Sequence, residues 1–289
     1  MEIQFHAADG TPLNGVVIEA ATPKAVVLIN PGTATKTFFY RPFAEYLAEH
    51  GYHVILWNYR GFCISRTQDL AHSDIEYTHI GERDIPAAIA KAKTLYPDLP
   101  LLCVGHSTGG QQIGLAENCN ELAGLVAVAV STGYYGGMPR GYRMQAKLFF
   151  KVIAPVSTAM FGYVKAKKLN LMEDLPPKLA KEWGQWCAKP DFMFDETFKQ
   201  QKPQIAAYRT FEFPVQVINA DDDEISSEFN TQRLWQHMKS TQPIGFTTYK
   251  AADTPKKALG HFGYFRRANQ TIWADILGHL DAFYQARSA

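Results

Sequence analysis

The 289-residue chain has few cysteines, no long apolar run and almost no excess charge, and each shortage removes a class of protein. Cys63, Cys103, Cys119 and Cys187 are widely spaced and form no CxxC pair, which argues against a zinc knuckle or a redox dithiol. Reduced, mostly buried thiols are the expectation. Lys and Arg number 29 against 28 Asp and Glu, a formal net charge of +1, so nothing in the overall electrostatics calls for nucleic acid or an anionic membrane. A small molecule is the expected partner. No stretch is apolar enough for long enough to span a bilayer, and Met1–His6 lacks a basic region followed by an apolar one; a cytoplasmic location without stable membrane insertion is expected. His6, His50, His53, His72, His79, His237 and His279 show no metal-ligand spacing, and neither metal nor cofactor is expected.

What is present is an alternation of short Val, Ile and Leu-rich runs with longer amphipathic segments, the pattern of a mostly parallel sheet with crossover helices. Residues 2–6 and 13–19 read as an opening hairpin across the turn-forming Ala8-Asp9-Gly10-Thr11-Pro12. Strands are predicted at 25–29, 53–58, 101–104, 125–130, 215–219 and 245–250. Helices are predicted at 39–50, ending at Gly51, and at 79–96, with Pro86 bending or restarting the second. Further helices are expected from Ser107 onward, at 228–238 and at 266–286. From about 142 to 207 no strand-like run appears, while helical periodicity and aromatics abound, among them Trp183, Trp186 and Phe192. That stretch reads as an insertion.

Within this pattern Leu101–Val104 runs into Gly105-His106-Ser107-Thr108-Gly109, followed by a helical stretch through Ala116. A GxSxG pentad alone is a weak signal, but between a strand and a helix it reads as a nucleophile elbow, in which glycines on both sides permit the sharp turn. Ser107 would stand above the carboxyl end of the sheet, at the head of a helix whose dipole favours an oxyanion. Two further types are needed in order: a carboxylate after a later strand and a histidine before the last helix. Asp221-Asp222-Asp223 follow the 215–219 strand, and His261 lies in Leu259-Gly260-His261-Phe262-Gly263.

In this order of elements the chain resembles the α/β-hydrolase superfamily over nearly its whole length. It is most similar to the branch related to monoacylglycerol lipases and serine-aminopeptidase-like hydrolases, through Tyr40-Arg41-Pro42-Phe43-Ala44, Asn58-Tyr59-Arg60-Gly61 and Gly260–Arg266. The resemblance implies an α/β-hydrolase core from 1–133 and 208–289, a helical lid at 134–207, and Ser107 as nucleophile. Family members often carry Gly-x-x-Asp after the acid-bearing strand, with Ala220 here in the glycine position, so the resemblance favours Asp223 over Asp222 and Asp221. The bland reading of the run is a solvated turn capping the helix near Ser226 or Ser227. Two backbone amides would form the oxyanion hole: that of Thr108 and one from Asn30-Pro31-Gly32-Thr33-Ala34, where the family commonly has His-Gly-x. Pro31 cannot donate, leaving Gly32 or Thr33, with Thr33 preferred because Gly32 lets the chain turn inward before it.

The expected activity is hydrolysis of a carboxylic ester or related acyl bond through an acyl-serine, with His261 as base and Asp223 orienting it. Acyl transfer and amide or peptide hydrolysis use the same machinery, and a noncatalytic receptor on this scaffold is the alternative of another class. His106 is expected to point away from Ser107 and pack. Arg60 and Arg66 lie near the expected mouth and either hold an anionic group or, more in keeping with most arginines, form salt bridges. Trp183, Trp186 and Phe192 either line an acyl pocket or build the insertion's own core. Lys165, Lys167 and Lys168 are only a modest basic cluster for docking to a membrane.

Overall fold

Strands that must be buried on both faces read as continuous apolar runs, and the computed structural model, which describes residues 1–169 and 172–288, contains such a set at its centre. Eight strands form one sheet: β1 Glu2–His6, β2 Pro12–Ile18, β3 Ala25–Asn30, β4 Tyr52–Trp57, β5 Leu101–His106, β6 Gly124–Val128, β7 Val215–Ala220 and β8 Ile244–Tyr249. Their order is β1-β2-β4-β3-β5-β6-β7-β8, with β1 and β2 antiparallel to their neighbours and every other pairing parallel. From β3 to β7 every residue is buried, whereas β2 alternates and the edge strand β8 is half exposed.

The helices are α1 Arg41–Glu49, α2 Ile85–Leu95, α3 Thr108–Gln111, α4 Arg140–Leu148, α5 Ala154–Phe161, α6 Pro177–Cys187, α7 Glu196–Gln201, α8 Pro203–Ala206, α9 Glu228–Trp235 and α10 Gln270–Ser288. On one face of the sheet Val27, Val54 and Val104 pack with Phe43 and Leu47 of α1 and Trp273, Ile276 and Leu280 of α10. On the other, Leu28, Trp57, Cys103 and Ala127 pack with Ile85 and Ile89 of α2 and with residues of the segment between β6 and β7, among them Leu179, Trp186 and Phe192. Three of the four cysteines are buried thiols and Cys63 is half buried, as the composition suggested.

Proline shapes two of the helices. The 79–96 helix begins as a π turn at Ile80–Asp84 that passes into α2, with Pro86 in its first turn. In the same way α4 continues through a π turn, Phe149–Ile153, into α5 with Pro155 in its first turn. Proline has no amide hydrogen and crowds the carbonyl four residues back, and the wider turn absorbs both defects without ending the helix. The helix after Ser107 is a different matter. It lasts only through Gln111 before a separate 3-10 turn at Ile113–Leu115, shorter than the sequence suggests, and Gly114 lies where a side chain would collide with the Tyr208 ring.

Arg60 is structural. Its guanidinium is buried, with Nε 2.6 Å from Asp84 and Nη1 2.7 Å from Asp9, and its own amide donates to Asp84 at 2.9 Å. This ties the loop after β4 to the start of α2 and to the first hairpin. Arg66 lies 3.6 Å from Asp174. Replacing one member of a buried pair strands the other charge, so Arg60→Met should lower the urea-unfolding free energy by about 3 kcal/mol, and a variant as stable as the parent would refute the role.

Candidate active site

Because β3, β5 and β7 run parallel, the loops that leave their carboxyl ends meet at one end of the sheet, and the three expected site segments come together there. Ser107 follows β5 directly with φ 50° and ψ −117°, a strained conformation for a residue with a side chain. The turn is kept by hydrogen bonds from the Ser107 amide to Val128 O and from the Gly110 and Gln111 amides to Ser107 O, each 3.0 Å. The tightness explains the glycines. A Cβ at Gly105 would sit 2.8 Å from the Gly109 carbonyl oxygen, and one at Gly109 would overlap the backbone of Asn30 at the end of β3.

The three aspartates divide their work. Asp221 accepts from the Ala251 amide at 2.8 Å, and Asp222 accepts from the amides of Leu259 at 2.8 Å and Gly260 at 2.9 Å. Asp223 is buried and meets His261 Nδ1 at 2.9 Å through Oδ2 and 3.1 Å through Oδ1, while also accepting from the amides of Ile225 and Ser226. The α9 cap is Ser227, not an aspartate: its hydroxyl oxygen accepts from the Asn230 amide. Burial pushes the Asp223 carboxyl up, but His261 and the two amides outweigh it and hold it below the usual range. Ser107 and His261 are brought to the same end of the sheet without a direct hydrogen bond between their side chains among the described residues.

His106 does more than pack. It is fully buried, its Nε2 lies 2.9 Å from the His261 carbonyl oxygen, and its Nδ1 lies 2.7 Å from Tyr40 Oη, which receives the Gly32 amide at 2.9 Å. A carbonyl only accepts, so Nε2 carries the proton, Nδ1 accepts from the tyrosine hydroxyl, and every donor in the chain is assigned. Burial, reinforced by the neighbouring His261, lowers the His106 pKa to about 3 and keeps the ring neutral. Gly32 fits flat on this ring, where a Cβ would stand 3.0 Å from Nδ1.

These bonds also sort the amides of the loop after β3. That of Gly32 is spent on Tyr40, whereas among the described residues the amides of Thr33 and Thr108 have no hydrogen-bond acceptor. The Thr33 and Thr108 hydroxyls bond to each other and both bond to Tyr77 Oη. The Tyr77 ring stacks on Trp183 at 5.6 Å and tilts against Trp186 at 5.0 Å, and its amide donates to Glu182 of α6 at 2.6 Å. Trp186 and Phe192 are buried in the core that packs on the sheet face; Trp183 stays partly open. Sequence reading assigned no role to Tyr40 or Tyr77. Tyr77 acts through partners more than thirty residues away, and Tyr40 joins nearby Gly32 to a distant ring whose tautomer only the fold determines. Among the described residues no group of three His, Cys, Asp or Glu side chains is placed to hold a metal ion.

The fold is that of the α/β hydrolases, and the solved structures similar to the chain include three that cover it almost entirely. A soluble variant of the monoglyceride lipase of Saccharomyces cerevisiae, in complex with a substrate analogue, matches with a TM-score of 0.69 at 15% identity over 97% of this chain and 94% of that one. A thermostable carboxyl esterase from Bacillus coagulans in complex with glycerol gives 0.60 at 13% identity, over 98% of each chain. An esterase from Exiguobacterium antarcticum gives 0.58 at 13%, over 97% of this chain and 100% of that one. No curated protein matches by sequence. The model of the family described as serine aminopeptidase, S33, matches residues 21–181, more than half the chain, and the chain belongs to that family. It is a serine hydrolase.

Two outcomes follow from the geometry. Gly109→Ala must displace the Asn30 backbone, and its unfolding free energy in urea should drop by about 3 kcal/mol, the upper part of the overpacking range. His106 should keep its Nε2–H tautomer from pH 8 to pH 5 in nitrogen-15 NMR spectra. Its folded pKa lies below the ordinary 6.5, so its contribution to stability is complete above that pH and declines as pH falls toward about 3. A ring that titrates near 6.5 would break the assignment.

Proposed function

We propose that the protein hydrolyses a carboxylic ester through an acyl-serine intermediate, with Ser107 as nucleophile, His261 as base and then acid, and Asp223 as the orienting carboxylate. The observation that carries this reading is the 2.9 Å contact of His261 Nδ1 with buried Asp223, which leaves Nε2 for the serine proton. The vacant amides of Thr33 and Thr108 support their assignment as oxyanion donors. An amide without an internal acceptor, beside the elbow, is what a developing negative charge on oxygen requires.

The 134–207 segment acts, in this reading, as a lid whose α6 walls the site: Trp183, partly open and stacked on the buried Tyr77 ring, gives an apolar surface near the proposed oxyanion loop, suited to an acyl chain or apolar alcohol. The likeness to a monoglyceride lipase and to esterases agrees with an ester in place of an amide.

Ser107→Ala should lower turnover of a short p-nitrophenyl ester by roughly 10⁴- to 10⁶-fold while leaving the fold intact. The parent should also cleave that ester at least about a hundredfold faster than an aminoacyl p-nitroanilide, which releases a chromophore too but presents the α-amino acyl group and amide bond of an aminopeptidase substrate. Wild-type rates in the alanine variant would remove Ser107 from the chemistry. Faster anilide cleavage would convert the reading to an aminopeptidase.

A further inference from the structure

The continuous helix Arg140–Phe161, built of α4, the π turn and α5, has two unlike faces. Inward, Phe149 and Ala154 are buried, and Phe150 packs edge-on against Trp183 with ring centroids 5.0 Å apart. Outward, Met144, Leu148, Val152, Val156 and Met160 recur every fourth residue and are 49% to 67% exposed. A row at that spacing drifts by about 40° per step on a regular α-helix, and the π turn in its middle, with one more residue per turn, brings it back toward one line. An exposed apolar row of this length is unusual for a surface with no partner.

Charge identifies what covers it. Between Leu122 and Met172 the sequence has no Asp or Glu, and it has Arg140, Arg143, Lys147, Lys151, Lys165, Lys167 and Lys168. Arg140, Lys147 and Lys151 are exposed on the same helix, the two lysines each one residue before a member of the apolar row. Beside them Arg143, Lys147 and Lys151, with Tyr134 and Tyr135, line a cavity of about 250 Å³. A second copy of the chain meeting this face symmetrically would set cation against cation. An apolar row bordered by cations on one helix instead matches the boundary between acyl chains and anionic headgroups.

We propose that the outer face of the Arg140–Phe161 helix docks on an anionic phospholipid surface, with the apolar row entering the acyl boundary and Arg140, Lys147 and Lys151 meeting headgroup phosphates. The helix lies in that plane and does not cross it: among the described residues no helix is long and apolar enough to span a membrane. The docking stands independently of what Ser107 cleaves.

Co-sedimentation with vesicles tests it. The full chain should bind phosphatidylcholine vesicles carrying about one-third phosphatidylglycerol at least tenfold more strongly than pure phosphatidylcholine, by about fivefold in partition per cation engaged, and added salt should weaken the preference. The double variant Leu148→Asp/Val152→Asp should lose binding about tenfold while keeping the parent's circular dichroism. Lys147→Glu/Lys151→Glu should retain the fold and lose the anionic preference. Parent protein that stays in the supernatant with the anionic vesicles, or both variants binding as the parent does, overturns the proposal. So does a stable dimer in light scattering that the aspartate variant dissociates, which would make a second copy the occupant.

Discussion

A buried imidazole with both nitrogens committed is the constraint on which the arrangement at the sheet's end depends. His106 is excluded from water, so its neutral form is favoured, and a neutral ring has one donor and one acceptor to place. The donor goes to the His261 carbonyl and the acceptor to Tyr40, which in turn takes the Gly32 amide. One side chain from the elbow therefore fixes the loop after β3 on one side and the histidine loop on the other. By occupying the Gly32 amide, the same chain leaves the next residue, Thr33, as the donor without a partner. The strained serine backbone is held between these anchors by β6 and by the following turn.

The acidic run shows how three identical residues acquire different work from position alone. Successive side chains leaving a strand end point in different directions, and each meets a different segment: Asp221 the Ala251 amide, Asp222 the amides just before His261, Asp223 the imidazole. Asp222 and Asp223 thus hold the same loop twice, one by its backbone and the other by its ring. Asp223 can remain charged while buried because three donors converge on it: two amides and one histidine nitrogen within reach of both its oxygens. A carboxylate in that setting suits the cationic form that the proposed mechanism gives its histidine partner.

Much of this was legible in the chain because the signals are local. Apolar runs for the inner strands and turn chemistry for the opening hairpin placed all eight strands to within two residues or so at each end, and strand-then-glycine marked the Ser107 turn. The preference for Asp223 rested on likeness to a family pattern, and no spacing rule within the sequence separates it from Asp222; it is the aspartate of the run that meets His261. What escaped was non-local. Nothing near Tyr40 indicates that its hydroxyl joins Gly32 to His106, and nothing near Tyr77 indicates that it bridges Thr33 and Thr108. The helix after Ser107 was overread because Gln111–Ala116 has acceptable propensity, while the ring of Tyr208, almost a hundred residues on, closes over Gly114. In the proposed mechanism, with only one short turn behind the elbow, the oxyanion is stabilised by aimed amides more than by a helix dipole.

The same non-locality explains why the Arg140–Phe161 helix looks unremarkable in composition. Its apolar residues are too many for a surface helix and too interrupted by Lys and Arg for a core one, and only the fold separates the two sets. The inner set joins Phe150 to Trp183, Trp183 to Tyr77 and Tyr77 to the two threonines beside Ser107. The outer set faces away from all of them. A packed row of rings has little slack, because interiors this dense transmit displacement to their neighbours. Three aromatic rings in contact thus connect the inner face of this helix to the wall of the proposed oxyanion loop, and Glu182, next to Trp183 on α6, holds that wall by accepting from the Tyr77 amide and pairing with Lys202.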